Sequence, residues 1–190
     1  AADKMTVFKD LVGYIAMIDK NLSSLIANNK DKFKHMFDGL DDNSRSAFED
    51  LFGMSGDNLK KLDAVREKLS TLTPKSGIKE VRQFAKDLSS LYEAIGQTPD
   101  FNMDDFTGRV NANLVKTVTD AFNKFESLWA DKISGIVDNF SIGGAGGIGN
   151  LSESVQNEIK KLQDQVSELK TLKKELNSIL NAKKDYDAFN

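Results

Sequence analysis

The chain contains 190 residues, of which 39% are hydrophobic and 29% are charged, and its formal net charge is −3. This apolar content can form a buried core, so the composition excludes a wholly disordered chain, and the absence of a basic excess argues against nucleic-acid binding. Cysteine is absent, which excludes disulfides, thiolate metal sites, iron–sulfur clusters and cysteine nucleophiles.

The first half of the chain is predicted to form helices of short to medium length, because apolar residues recur at intervals of three and four. Runs of alternating β-branched residues, which are typical of strands, are missing. The predicted helices of this half cover residues 7–26, 33–40, 47–52, 59–72 and 78–95. Gly96 is a suitable C-terminal stop for the last of them.

The second half is predicted to form two long helices. The helical spacing of apolar residues runs from a start near Asn102 to Phe140, either as one long helix or as two nearly collinear helices broken near Gly135. The last helix has apolar residues at alternating intervals of four and three among many Glu, Lys and Gln residues, a pattern typical of coiled-coil-like packing. Asn150 and Glu153 have the spacing of a capping box at its start.

These elements predict an all-α helical bundle, with several short helices in the first half and two long helices joined by a Gly-rich loop in the second. The predicted organisation is a helical bundle domain over residues 1–140, a Gly-rich connector over 141–149 and a long C-terminal amphipathic helix over 150–190. That helix is expected to pack back on the bundle or onto a partner. No uncharged apolar run reaches the roughly 18 residues that a membrane span needs.

The segment GAGGIG, residues 144–149, matches the spelling of the G-x-G-x-x-G dinucleotide-binding motif. That motif works only where a buried strand enters the loop, a helix leaves it and a parallel sheet lies behind it. Here the preceding residues continue a helical spacing, and no strand is predicted later in the chain. We therefore interpret GAGGIG as a connector between the two long helices.

No residue from 139 to 152 is charged, which is unusual for a solvated linker. Three interpretations are open: a loop packed on the bundle, a hinge that lets the C-terminal helix swing or swap between chains, and an apolar tip that contacts lipid or a partner's groove. The residues of this candidate hinge or contact tip are Phe140, Ile142 and Ile148.

Enzymatic chemistry has little support in the sequence. The only histidine is His35, so zinc would need carboxylates almost alone. A Ser–His–Asp triad would have to use His35, but no G-x-S-x-G elbow is present, and the acidic cluster that begins at Asp41 lacks the Gly and Glu positions of an EF-hand loop. We expect a non-enzymatic protein without metal or cofactor, although a carboxylate-only site leaves only weak sequence traces.

The first functional hypothesis is a helical protein that binds a lipid, a fatty acid or another apolar small molecule. Short amphipathic helices joined by Gly and Asp turns can part to admit an acyl chain, and Met side chains adapt to such ligands. Plain core packing explains the same residues. The candidate ligand-binding residues are Phe33, Met36, Phe37, Phe48, Phe52 and Met54.

The second hypothesis is a protein–protein interaction or scaffold module that uses the C-terminal helix to bind a partner or to self-associate. Ordinary packing within the chain is its alternative. The candidate interaction residues are Ile159, Leu162, Val166, Leu169 and Leu176.

A membrane-active helical hairpin that uses the uncharged tip is a third hypothesis. The start AADKM is consistent with signal cleavage or with a truncated start. We expect a secreted or surface-exposed protein, and a cytoplasmic location stays open.

Overall fold

The computed structural model describes residues 4–29, 31–33, 42, 54, 57–138, 140 and 151–189. Its helices are α1 (Lys4–Asn28), α2 (Asp57–Leu69), α3 (Ile78–Ala94), a short 3₁₀ helix (Met103–Asp105), α4 (Ala112–Asp138) and α5 (Glu153–Phe189). These residues contain no strand, which confirms the predicted all-α class. The Gly-rich loop and most of the two predicted short helices, residues 34–40 and 47–52, lie outside them.

Helix α3 ends at the predicted glycine stop. Gly96 has a φ of +69°, which favours glycine because a Cβ is strained there. The Gly96 N–H donates to the Glu93 carbonyl at 3.0 Å, and the Gln97 N–H donates to the Tyr92 carbonyl at 2.9 Å. These two bonds form a Schellman motif, which satisfies carbonyls that the helix end would otherwise leave unpaired.

Helix α4 begins at Ala112, ten residues later than the start predicted near Asn102, and continues without a break through Gly135. Asn102 instead caps the 3₁₀ helix, since its Oδ1 accepts from the Asp104 N–H at 3.1 Å. Asn111 Oδ1 accepts from the Leu114 N–H at 2.9 Å and caps α4 itself. Between the two caps, Gly108 has a φ of +77°, which interrupts the helical path.

The start of α5 differs from the predicted capping box. Glu153 is the first helical residue, so it cannot occupy the third position after an Asn150 cap. The Val155 N–H donates to Ser152 Oγ at 3.3 Å, and the cap is therefore Ser152. Asn150 lies outside the described residues.

Contacts divide the chain into two compact units. Unit 1 contains Ala1–Arg45 and Ile133–Asn190, and unit 2 contains Ser46–Lys132. Helix α4 therefore contributes its residues up to Lys132 to unit 2 and the rest to unit 1. The division into residues 1–140, 141–149 and 150–190 stays a prediction, because its connector lies outside the described residues.

In unit 1, α1 packs against α5. Residues between 21 and 28 of α1 and between 158 and 165 of α5 line a common groove, and Tyr14 of α1 lies near Glu168 of α5, so the two helices run antiparallel. Each fully buried aliphatic side chain contributes about 1.5–3 kcal/mol. The buried aliphatic residues are Leu11, Ile15, Ile18, Leu22, Leu25 and Ile26 on α1 and Val155, Ile159, Leu162, Val166 and Leu169 on α5.

In unit 2, α2 packs against α3, and aromatic pairs join α3 to α4. The ring centroids of Phe84 and Phe122 are 6.4 Å apart, and those of Tyr92 and Phe125 are 5.4 Å apart. Such pairs add about 0.5–1.5 kcal/mol to the burial of their area. Trp129 of α4, the only tryptophan in the chain, is also fully buried, and its Nε1 has no hydrogen-bond partner among the described residues.

None of the helices, over the residues described, is long and apolar enough to cross a membrane.

A buried ion pair connects α2 to α4 in unit 2. Arg66 Nε donates to Glu126 Oε1 at 2.6 Å, and Arg66 Nη2 donates to Glu126 Oε2 at 3.2 Å, which is a bidentate geometry. The two side chains are 8% and 1% exposed. Arg66 Nη1 also lies 3.5 Å from the exposed carboxylate of Asp63, which is a weaker contact. Because either single substitution removes the bidentate partner of a buried charge, it costs more than the net value of the pair.

We expect Arg66→Met and Glu126→Leu each to lower the free energy of unfolding by about 3–5 kcal/mol, and the double variant to lose much less. Urea denaturation followed by circular dichroism measures the free energies of unfolding of the wild type, the two single variants and the double variant. The control is the exposed pair of Lys116 and Asp120, 2.6 Å apart, whose removal should cost about 0–1 kcal/mol. Single variants at Arg66 and Glu126 that cost no more than this control contradict the prediction.

Candidate binding surfaces

Two members of the predicted apolar ligand site, Phe33 and Met54, lie within the described residues, and both are fully buried. Phe33 belongs to unit 1 and Met54 to unit 2. The remaining members, Met36, Phe37, Phe48 and Phe52, lie outside the described residues. The two described side chains therefore occupy core positions, and an apolar ligand site at these residues stays a prediction.

Phe33 contacts Phe140, a residue of the predicted hinge or contact tip. Their ring centroids are 5.7 Å apart and tilted by 50°. Phe140 is only 4% exposed, and its carbonyl accepts a hydrogen bond from Gln163 Nε2 of α5 at 2.9 Å. The structure thus places Phe140 in the core of unit 1. The other tip residues, Ile142 and Ile148, lie outside the described residues.

The predicted interaction residues of α5 differ in their exposure. Ile159, Leu162, Val166 and Leu169 are buried within unit 1, whereas Leu176 is partly exposed. Leu172 and Ile179 are partly exposed as well. We call Leu172, Leu176 and Ile179 the distal seam, because they continue the apolar stripe of α5 beyond its buried part.

A polar groove with a volume of about 260 Å³ is lined by residues of both α1 and α5 in unit 1. Two leucines contribute to it, but six of its eight lining side chains are polar or charged. Gln165 is one of the lining residues, and its buried Oε1 has no hydrogen-bond partner within the part of the chain that the structure describes. This lining is poorly suited to an acyl chain. The lining residues are Asn21, Ser24, Leu25, Asn28, Glu158, Lys161, Leu162 and Gln165.

A second groove, of about 350 Å³, lies between α2 and α3 in unit 2. Val65 and Phe84 form its apolar floor, and Ala64 lies at its edge. Two of its lining residues, Lys68 and Glu80, form an ion pair at 2.9 Å that links the helices. We call it the α2–α3 groove.

A third groove, which we call the basic groove, lies between α3 and the 3₁₀ helix in unit 2 and has a volume of about 370 Å³. Its lining residues within the described ranges are Lys79, Arg82, Gln83, Lys86 and Met103, so three cations and no carboxylate of these ranges line it. The sequence interpretation missed this site because lysines alternate with acids along the chain. The available signal was the spacing of three and four residues that puts these cations on one helix face.

Tyr92 illustrates how unit 2 satisfies a buried polar group. Its hydroxyl donates to the Ala121 carbonyl of α4 at 2.6 Å. Burial, with a smaller contribution from the nearby carboxylate of Asp100, raises the pKa of Tyr92 to about 12. Burial and Glu168 also raise the pKa of Tyr14. Both phenols are therefore protonated at neutral pH, and Tyr92 acts as a hydrogen-bond donor that orients α4.

Among the described residues, no group of three or more His, Cys, Asp and Glu side chains could hold a metal ion. Searches of protein-family models, of curated proteins and of solved structures found no match to this chain.

We expect Tyr92→Phe to lower the free energy of unfolding by about 1 kcal/mol, because the Ala121 carbonyl loses its donor. The native pKa of about 12 exceeds the ordinary value of 10.0, so the folded state retains a proton that the unfolded chain releases. The stability that the protonated Tyr92 contributes is therefore fully present below pH 10 and is lost as the pH rises through about 12.

Urea denaturation at several alkaline pH values tests this expectation. Wild-type stability should fall more steeply than that of Tyr92→Phe between the two pKa values. Tyr14→Phe is the control, because Tyr14 is partly exposed, and it should change the slope less. The same slope in wild type and Tyr92→Phe contradicts the expectation.

Proposed function

We propose that this chain is a non-enzymatic binding protein that contacts an amphipathic helix of a partner protein through the distal seam of α5. The observation that supports the proposal is the change in exposure along one continuous apolar stripe. The stripe is buried from Val155 to Leu169 and becomes partly exposed at Leu172, Leu176 and Ile179.

The spacing of the distal seam favours a helix as the partner. Leu172, Leu176 and Ile179 follow one another at intervals of four and three, as do the buried residues that pack on α1. This spacing is the one that lets an antiparallel or parallel helix insert its own apolar side chains between them. A partner helix would therefore extend a mode of packing that α1 and α5 already use.

The charges beside the distal seam favour acidic flanks on the partner helix. Residues 170–175 contain Lys170, Lys173 and Lys174 but only one acid, Glu175. Lys170 donates to Asp138 Oδ2 at 2.7 Å, while its side chain stays half exposed. Such charges influence the choice of partner and the association rate more than the final affinity.

The proposal is tested by photo-crosslinking. A photoreactive residue replaces Leu176 in the full chain, and the protein is expressed in the organism from which it comes. We expect a discrete crosslink to one other polypeptide, identified by mass spectrometry. The matched control carries the same residue at Asn177, one position along α5 and exposed. Equal crosslinking at both positions, or none at Leu176, contradicts the proposal, and a crosslink to a second copy identifies self-association.

Once that polypeptide is known, Leu176→Glu should weaken its binding about 10- to 100-fold, because a buried leucine contributes about 1.5–3 kcal/mol. The exposed control Asn177→Glu should change the affinity by less than about twofold, since a rim charge contributes little. Circular dichroism verifies that both variants remain helical. An unchanged affinity for Leu176→Glu contradicts the proposal.

An apolar small molecule is the second candidate partner, and the apolar floor of the α2–α3 groove favours it. The volume of the α2–α3 groove, about 350 Å³, lies in the range of small-ligand sites. Ala64→Trp places an indole at the edge of this groove and should abolish saturable binding of a fluorescent fatty acid by delipidated protein. Lys60→Trp, also exposed on α2 but outside the groove lining, is the control. Absence of saturable binding by the wild type contradicts this candidate.

A further inference from the structure

The basic groove has a charge pattern that the partner-helix proposal does not use. Lys79, Arg82 and Lys86 are all exposed and lie three and four residues apart on α3. The opposite face of the same helix carries the buried residues Val81 and Leu88. The three cations thus form one positively charged stripe on the solvent side of unit 2.

These three cations make no ion pair among the described residues. Four other cations of unit 2 are paired: Arg66 with Glu126, Lys68 with Glu80, Lys116 with Asp120 and Lys124 with Asp100. Asp104 and Asp105 follow Met103 in the chain but form no ion pair with the stripe. Residues 57–132 contain as many acidic as basic residues, so the excess of cations is local to the stripe and is not a property of the whole unit.

The dimensions of the groove suit a small anion that carries several charges. Lys79 and Lys86 are seven residues apart, which corresponds to about 10 Å along a helix axis. A single phosphate is too small to contact both ends of the stripe, whereas two or three linked phosphates can. Arg82, between them, offers a planar fork that binds phosphate oxygens in bidentate fashion.

Met103 of the 3₁₀ helix also lines the groove. Its flexible thioether chain can contact an apolar part of a ligand. The lining that the structure describes contains no aromatic side chain on which a nucleic-acid base could stack. These features favour a compact polyphosphate over a nucleic-acid strand.

We propose that the basic groove binds a small polyphosphate group, carried either by a soluble ligand or by the headgroup of a phosphorylated lipid. Lys79 and Lys86 neutralise the two ends of the group, and Arg82 binds its centre. The site is in unit 2 and the distal seam is in unit 1, so the two proposals stand on different residues and fail independently.

Isothermal titration calorimetry with tripolyphosphate at low salt tests the soluble form. We expect Arg82→Gln/Lys86→Gln to lose at least tenfold in affinity, while Lys86→Arg retains binding. The matched control is Lys60→Gln/Arg109→Gln, which removes one lysine and one arginine from exposed positions of the same unit. Its affinity should stay within about twofold of the wild type, because only the groove residues contact the ligand.

Flotation with phosphatidylcholine vesicles that contain a phosphoinositide bisphosphate tests the lipid form, with phosphatidylserine vesicles of equal charge as the reference. Binding to the phosphoinositide vesicles alone, lost in the groove variant and kept in the control, supports a headgroup ligand. Binding to tripolyphosphate alone, with the same variant pattern, supports a soluble one. Absence of binding in both assays, equal loss in the control variant, or equal binding to both kinds of vesicle overturns the proposal.

Discussion

The continuity of α4 is the constraint on which both units depend. Its first part supplies Phe122, Phe125 and Trp129 to the core of unit 2, and its last turns supply Ile133 and Ile136 to unit 1. A glycine in a helix interior costs about 0.5–1 kcal/mol relative to alanine, and yet α4 continues through Gly135. Burial of apolar residues on both sides of that glycine outweighs its low helix propensity, so one helix serves two cores.

Polar contacts determine how the helices of unit 2 fit together, whereas apolar burial provides most of the stability. The bidentate pair of Arg66 and Glu126 joins α2 to α4, and the Tyr92 hydroxyl joins α3 to the Ala121 carbonyl. Each of these contacts is satisfied in only one alignment of its two helices. A slip along α4 would leave a buried charge or a buried phenol without its partner, which costs more than the contact contributes.

Local spacing was sufficient to predict the helices that the structure describes, because burial of one face imposes a period near 3.6 residues. The glycine stop at Gly96 was also predictable, because a helix stop of this kind depends only on adjacent residues. Two helix starts were misplaced where several cap residues compete: Asn111 and Ser152 form the observed caps. Arg66 and Glu126 are 60 residues apart, and no local pattern indicates that they meet. The cations of the basic groove have helical spacing in the sequence. Their clustering is hidden along the chain, where acids alternate with lysines, and becomes evident only when the residues are placed around the helix.

The position of the single tryptophan has a consequence for spectroscopy of this protein. Trp129 is fully buried in unit 2, so its indole emission is shielded from water and shifts to the red when that environment opens. Far-ultraviolet ellipticity, by contrast, reports the helices of both units, including the long α5. Coincident thermal transitions in the two signals would identify a single cooperative block, and separated transitions would reveal that the units melt in sequence.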